Sequence, residues 1–576
     1  MKYATWTILG DRLDGEKLDV QTKLLANRNV FSHEEKNEFL LPSVDAIHNP
    51  YLMQGMKKCI ARLSKSLQRG ENIGILGDFD TDGLTGTALL TEGLRNLGGN
   101  AFPYIPHRVT EGHGISENAL AYFQQHDVTL QVTVDCGVTA LPEISKAKEQ
   151  GIDTIVTDHH TPLDNLPDAV SIINPSLKDS SYPFPFLTGV GTAFKVIQAL
   201  HQHLNKPLPD KLYTLVALGT LSDVGYMKGE NRYLVWKGLQ ILRRFPFTGI
   251  DALIDKSYGV KNRIKTEDMS FGVIPRLNVA GRLKHAKLSL DILLSKNPED
   301  ANKMADELDE LNKQRQKLTE KAFEEAHRQV SMDEMGKPPA VIFAGKATWA
   351  PGILGLIASR LSEEFHRPAI AACGENGFYR GSARSIPEFN LIDALNQCEE
   401  HFEAYGGHPM AAGFTIKEQS LKKFRNALTT IGQEQMTDIP KGPSLSIETS
   451  IPFSWINREN LNFINQLEPF GNGNPNPVFM TQNVSVLGVR QIGANKSHLK
   501  MTVEDQGKIF DTICFRQGSR IKEAHGSIDI AYTAGTSYWS GRETIELTVQ
   551  DFRPSTTIEP TNNLYNTQQH TTKHKT

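Results

Sequence analysis

Apolar residues come in short unbroken runs between residues about 70 and 175, and helical spacing fills the gaps between the runs. "NIGILG" leads into a helix beginning near Leu84, and "LQVTVDCG" precedes the helical stretch "LPEISKAKEQG". "DTIVTDHH" follows that helix, and "VSIINP" comes next. Strands that alternate with polar positions have one wet face; these do not, so the rhythm predicts a parallel sheet covered by helices on both faces. A mainly helical stretch, about 188 to 290, completes this domain.

The following polar stretch, "NPEDANKMADELDELNKQRQKLTEKAFEEAHRQV", has one helical stripe: Met304, Leu308, Leu311, Leu318 and Ala322. Asn297 is placed to cap it, with Pro298 in the first turn and Glu299 and Asp300 at its positive end. It reads as a connecting helix ending before Gly336. Runs such as "AVIFAG", "PAIAAC" and "FYRGSARS", with the helix "GILGLIASRLSEEF", then predict a second, smaller α/β unit. From about 480 to 553, alternating stretches such as "HLKMTVED" and "TIELTVQDF" predict a small antiparallel barrel. The expected organisation is an N-terminal segment (1–45), a first α/β domain (46–296), the connecting helix (297–335), a second α/β domain (336–435), a linker (436–479), a β-barrel (480–553) and a disordered Thr/Asn/Gln-rich tail (554–576).

Composition alters this picture little. Of the 576 residues, 39% are hydrophobic and 22% charged, ordinary values for a globular chain. The five cysteines contain no CxxC pair, which points away from a zinc ribbon or disulfide framework. No apolar run is long enough to span a bilayer, so the expected location is the cytoplasm, with no membrane partner. The net charge of −4 means that any nucleic-acid surface must be a local cluster.

The candidate chemistry lies at the strand ends. "GDFDTDGLTG" places Asp78, Asp80 and Asp82 directly after an apolar strand. An EF-hand would need an entering helix and a Glu at loop position twelve, where Leu89 stands. A phosphate-binding P-loop would need GK followed by Ser or Thr, which is absent. "QVTVD" ends at Asp135, "TIVTD" at Asp158 followed by His159 and His160, and Asp223 follows the apolar run in "ALGTLSDVG". In an open parallel sheet the carboxyl ends of strands form the ligand crevice, so these groups should converge. Two carboxylates about 4 Å apart repel by about 4 kcal/mol at an effective dielectric near 20. The cluster therefore calls for bound protons or cations. Carboxylates with an imidazole suit Mn²⁺, with Mg²⁺ the second choice, and five or six ligands favour two ions over one.

With "GDFDTDG", "VDCG" and "TDHH" in this order, the chain resembles the DHH phosphoesterase superfamily. "YIPHRVTEGHGIS", "LTGVGTAFKV", "GENRYLV", "PRLNVAGRL", "WAPGILGLIASRL", "GSARSIPEFNLIDAL", "YGGHPMAAGF" and "LEPFGNGNPNPVF" extend the resemblance to the RecJ single-strand-specific exonucleases, over about residues 20 to 553. The resemblance implies a DHH domain, a DHHA1 domain and an OB-fold in a monomeric enzyme. It implies processive removal of nucleotides from the 5′ end of single-stranded DNA in recombination and repair, with single-stranded-DNA-binding protein and a RecQ-like helicase as partners.

By motif, the resemblance implies Asp80, Asp82, Asp135, His159 and Asp223 as metal ligands, with Asp78 a further ligand or orienter. Asp135 would bridge two ions, His160 would lie beside the scissile phosphate, and Asp158 would orient a histidine ring. Arg108, Arg276, Asn278 and Arg282 would hold backbone phosphates. Ser382 and Arg384 would form a 5′-phosphate pocket, with Gly407 and His408 close to the substrate. In the barrel, Tyr538 and Trp539 could stack bases beside Lys496, His498, Lys500 and Arg516. Ala350 and His113 depart from the family pattern, where His and Tyr are usual. Two other readings keep the same motifs: a phosphodiesterase acting on short oligonucleotides or small nucleotides, and a non-catalytic replication scaffold.

Overall fold

A computed structural model describes residues 3–9, 18–257, 261–332, 334, 336–375, 377–436, 442–493, 495–539 and 542–555. The chain divides into two compact units, one of residues 28–443 and 463–476, the other of residues 1–27, 444–462 and 477–576.

Strand β1 (Thr5–Ile8) belongs to the second unit and is taken up below. The larger unit opens on a five-stranded sheet of β2 (Asn72–Gly77), β3 (Asn100–Tyr104), β4 (Val128–Val134), β5 (Asp153–Thr157) and β6 (Ser171–Ile173). Every pairing is parallel, and the spatial order is β3-β2-β4-β5-β6. Both faces are covered. Ile73, Ile75, Val132 and Ile155 pack into one core with the helices Thr81–Asn96 and Gly189–His203, while Leu76, Val128 and Val156 join a second core with Phe123 and Ile144. Two-sided burial is why these strands read as continuous apolar runs.

The chain winds from β2 out to β3 and returns to place β4 on the other side of β2, so winding reverses between β2 and β4. The register sets Gly77, Val134 and Thr157 in one row across the sheet. The next residue of each strand is Asp78, Asp135 or Asp158. Strand spacing of about 4.8 Å then lines the three acids along the rim of the crevice.

The helix Pro298–His327 is capped as its sequence predicts, with the Asn297 side chain accepting from Glu299 N at 2.8 Å. Its stripe is corrected at one point. Leu318 is exposed, whereas Leu308 and Ala322 are buried as the stripe has them, joined by Ala305, Asn312, Thr319 and Phe323. The helix ends at His327, nine residues before Gly336.

The second sheet holds β7 (Ile342–Gly345), β8 (Ala369–Glu375), β9 (Phe378–Arg384), β10 (Phe402–His408) and β11 (Ala411–Lys417), in the order β10-β11-β9-β8-β7. Only β7 and β8 run parallel in it.

In the smaller unit β1 pairs with β12 (Ser444–Ile447). β13 (Thr449–Ser450), β14 (Phe479–Ile492), β15 (His498–Asp505), β16 (Lys508–Cys514), β17 (Ser527–Trp539) and β18 (Arg542–Pro554) form a sheet that β14–β17 pairing closes into a barrel. The expected linker is thus partly ordered: it supplies β12, β13 and the helix Arg458–Gln466. The first 45 residues likewise contain the helices Val20–Ala26 and His33–Leu40. Nearly all of the expected disordered tail lies outside the described residues. Among the described residues no helix is long and apolar enough to cross a membrane.

Candidate active site

The loop after β2 turns into the helix Thr81–Asn96 through its aspartates. Asp80 is the N-cap, its Oδ1 accepting from Asp82 N at 3.0 Å and Gly83 N at 3.2 Å. Asp82 accepts from Gly189 N at 2.7 Å and Val190 N at 2.9 Å, the first amides of the helix Gly189–His203. Those amides carry the positive end of a helix dipole, so they favour the charged carboxylate. A Cβ at position 189 would fall 2.5 Å from the Asp135 Cβ, so only glycine lets the helix approach this closely. Asp135 itself adopts φ +60°, a conformation aspartate tolerates better than most residues.

Asp158 is saturated with donors: Val138 N at 3.0 Å, His159 N at 2.8 Å, His160 N at 3.2 Å and the His160 Nδ1 at 2.7 Å. It orients the His160 ring. Burial alone would lower the His160 pKa, but its bond to Asp158 and the surrounding carboxylates push it up to about 9. His159 turns toward the same Asp135 oxygen as His160. Its Nε2 lies 3.0 Å from Asp135 Oδ1 and 3.8 Å from Asp223 Oδ2, and burial lowers its pKa. Asp223 caps the C-terminus of the helix Leu212–Ser222, the negative end of a dipole, where a carboxylate is disfavoured.

The expected ligands all come together. Three groups of side chains each bring their ligating atoms within 4.8 Å of one another: Asp78, Asp80 and Asp135; Asp82, His159 and Asp223; and Asp135, His159 and His160. Asp135 and His159 tie the groups into one. Burial, reinforced by neighbouring acids, raises the carboxyl pKa of Asp78 to about 6 and those of Asp82 and Asp223 to about 7, and raises Asp135 well above its ordinary value. Asp78 Oδ1 and Asp135 Oδ1 are buried and accept no hydrogen bond among the described residues. Crowded, desolvated acids with orphaned oxygens fit divalent cations better than they fit one another.

A cationic cluster adjoins the acids. Arg108 stacks over Phe79 at 4.7 Å and is drawn toward Asp78 and Asp80, although burial lowers its pKa. Burial, together with Arg108, Arg315 and Arg384, pushes Arg282 down to about 9. Arg384, on β9, donates to Ser382 Oγ at 3.2 Å and to Ala383 O at 2.8 Å. The register sets Arg384 opposite Ala411, and Ala411 opposite His408. His408 stacks face to face with His160 at 6.2 Å between ring centroids, bringing the second sheet to the first sheet's crevice. Gly407 sits beside it on β10, opposite Ala412.

Two of the expected phosphate contacts also make bonds within the protein. Arg276 pairs with Asp309 at 2.7 Å and donates to Gly272 O at 2.7 Å, fastening the long connecting helix. Asn278 accepts from Thr81 N at 2.9 Å and from Thr81 Oγ1 at 3.0 Å, bracing the aspartate loop. In the barrel, Lys500 pairs with Asp511 at 3.1 Å, and His498 meets Phe515 edge to face at 5.4 Å. The side chains of Tyr538 and Trp539 lie outside the described residues. Arg315 escaped the sequence reading because it sits mid-helix among other charged residues; its Nε is buried with no partner among the described residues, and its Nη2 donates to Asn312 Oδ1 at 2.6 Å. His113, whose Nε2 lies 3.8 Å from Asp78 Oδ1, could be noticed only as a departure from the family pattern.

The sheet, its acidic rim and the second α/β unit define a DHH-type phosphoesterase core, and family models agree. The DHH family N-terminal domain matches residues 72–220, the DHHA1 domain residues 338–434 and the RecJ OB domain residues 447–551. The chain belongs to the RecJ family. It is 36% identical to the single-stranded-DNA-specific exonuclease RecJ of Bacillus subtilis, over 92% of this chain and 67% of that one. It is 31% identical to the Escherichia coli protein of the same description, over 92% of this chain and 95% of that one. The crystal structure of Thermus thermophilus RecJ in complex with Mn²⁺ matches with a TM-score of 0.79 and 28% identity, covering 93% of this chain and 76% of that one. The Mg²⁺ complex of the same protein gives 0.74 at 26% identity.

Proposed function

We propose that this chain is a metal-dependent exonuclease specific for single-stranded DNA, which removes 5′-mononucleotides from the 5′ end. The observation that carries the reading is the row of strand tips. Asp78 and Asp135 follow neighbouring strands at the switch point, and Asp135 shares its crevice with Asp82, His159 and Asp223. Two divalent cations would be held there, one by Asp78, Asp80 and Asp135 and the other by Asp82, His159 and Asp223, with Asp135 between them. When bound, such ions activate water and neutralise the charge that develops on a phosphodiester. Mn²⁺ suits the mixed imidazole and carboxylate donors, and Mg²⁺ the all-oxygen group.

Other residues would place the substrate. His160, held cationic by Asp158, would donate to a non-bridging oxygen of the scissile phosphate. Arg108, Arg282, Ser382 and Arg384 would bind the terminal 5′ phosphate, with His408 at the same opening, and so measure one nucleotide from the metal groups. Arg276 and Asn278 would support the site without touching DNA. Five scattered cysteines with no CxxC pair support a reducing, cytoplasmic setting. Recombination and repair, action as a monomer, and partnership with single-stranded-DNA-binding protein and a RecQ-like helicase complete the reading.

The test is digestion of one single-stranded oligonucleotide, labelled separately at each end, with Mn²⁺, comparing wild type, Asp135→Ala and a duplex control. The expected result is immediate mononucleotide release from the 5′ label by wild type alone, and only from the single strand. Preference for dinucleotides would favour a small-substrate phosphodiesterase, and DNA binding without cleavage a scaffold.

A further inference from the structure

The helix Leu212–Ser222 ends in a tight turn directly beside a site carboxylate. Gly225 N donates to Thr220 O at 2.9 Å and Val224 N to Leu221 O at 3.4 Å, the paired bonds that close a helix through a left-handed residue. That residue is Val224, at φ +53°. Glycine normally occupies such a position; a β-branched side chain there is a conformational outlier that persists only if its surroundings hold it. The residue immediately before it is Asp223, the most exposed of the site's carboxylates. Nothing within the turn itself explains how this strained residue keeps Asp223 aimed at His159.

The support comes from about 250 residues downstream. Asn472 donates from Nδ2 to Val224 O at 3.3 Å, and its backbone carbonyl accepts from Met227 N at 2.6 Å. One residue thus clamps both ends of the Val224–Met227 loop. Gly473, at φ +79°, makes the approach possible, since a Cβ there would lie 2.3 Å from the Tyr226 ring. The clamp is itself fixed. The Arg232 guanidinium donates to the carbonyls of Leu467, Glu468 and Pro469 at 3.0, 3.0 and 3.2 Å. Asn474 Nδ2 donates to the Leu467 and Pro469 carbonyls at 2.9 Å each, and Arg28 Nε to Asn474 Oδ1 at 2.8 Å.

We infer that Asn472 is a positioning residue for Asp223: the 467–476 segment holds the strained Val224 turn so that the Asp223 carboxylate stays with Asp82 and His159. This rests on the metal reading of that group. It gives the "EPFGNGNPNP" run a function that its sequence position, far from every other site motif, does not suggest.

The experiment uses the full chain as wild type, Asn472→Ala, Val224→Gly and the double variant. Mn²⁺ binding is measured by titration calorimetry, kcat and KM on a single-stranded oligonucleotide, and unfolding by thermal melt. Asn472→Ala should weaken binding of one of the two Mn²⁺ ions by about tenfold and lower kcat by a similar factor, with KM little changed. Val224→Gly removes the strain that the clamp opposes, so the double variant should recover most of the Mn²⁺ affinity that Asn472→Ala loses. A general loss of fold would not be rescued by adding a glycine. Wild-type Mn²⁺ affinity in Asn472→Ala, or a double variant no better than Asn472→Ala, would overturn the inference. Wild type that binds no Mn²⁺ would overturn the metal reading, and this proposal with it.

Discussion

Asp135 and His159 sit just beyond the ends of adjacent parallel strands, and their Oδ1 and Nε2 atoms are 3.0 Å apart. Asp135 is the residue common to the all-carboxylate group and to a histidine-containing one, and burial, reinforced by the surrounding acids, raises its carboxyl pKa well above the ordinary value. A group placed where its charge is so unfavourable points to a cation that relieves it.

Asp135→Asn should therefore separate stability from function. Removing one repelling, desolvated carboxylate should raise the melting temperature of the metal-free protein. The same change should cut Mn²⁺ affinity and nuclease activity by at least about a hundredfold. Thermal melts with and without Mn²⁺, beside the oligonucleotide assay, test both; a metal-free variant less stable than wild type would refute the repulsion argument.

The pH dependence has a definite sign. The carboxyl groups of Asp78, Asp82 and Asp223 ionise near 6, 7 and 7 in the folded chain, against about 4 when unfolded. Between about pH 4 and 7 the folded chain thus holds protons that the unfolded chain has released, and metal-free stability falls as pH rises through that window. Metal uptake requires the deprotonated ligands. The Mn²⁺-induced rise in melting temperature should be larger near pH 8 than near pH 5.5. An equal or reversed difference in a melt series would contradict it.

Arg384→Ala should impair recognition of the DNA end more than the chemistry. A charge-assisted bond is worth about 1.5–3 kcal/mol, so kcat/KM on a 5′-phosphorylated strand should fall about ten- to hundredfold. A strand with a 5′-hydroxyl should be much less affected. Competition between the two substrates measures the ratio; equal losses on both would place Arg384 outside an end pocket.

Lys195 and Glu230 form an ion pair with both side chains fully buried, 2.6 Å apart. Lys195 also donates to His48 O at 2.6 Å, and Tyr182 to Glu230 at 2.5 Å. Lys195→Met leaves the Glu230 charge uncompensated and should cost about 3–5 kcal/mol, visible as a lower urea midpoint. The double variant Lys195→Met/Glu230→Leu should recover much of that loss. A double variant as unstable as the single one would show that packing, not charge, holds the network.

Much of this protein is decided locally. Two-sided burial writes β2, β4 and β5 as unbroken apolar runs, and each run ends in the acid that the site uses, so the row of Asp78, Asp135 and Asp158 is readable from alternation and order alone. The Asn297 cap is equally local, because its donors are its own neighbours. The roles of Arg276 and Asn278 are not. Both lie in one motif with Arg282, and only the fold brings Arg276 to Asp309 and Asn278 to Thr81. Likewise, no spacing rule brings Asn472 to Val224, or His408 to His160, since each pair joins segments more than 200 residues apart. Sequence set which side chains could bear charge and where each strand ended. Tertiary structure decided which charges meet, because electrostatic energy depends on separation and burial through space, and neither is a property of position along the chain.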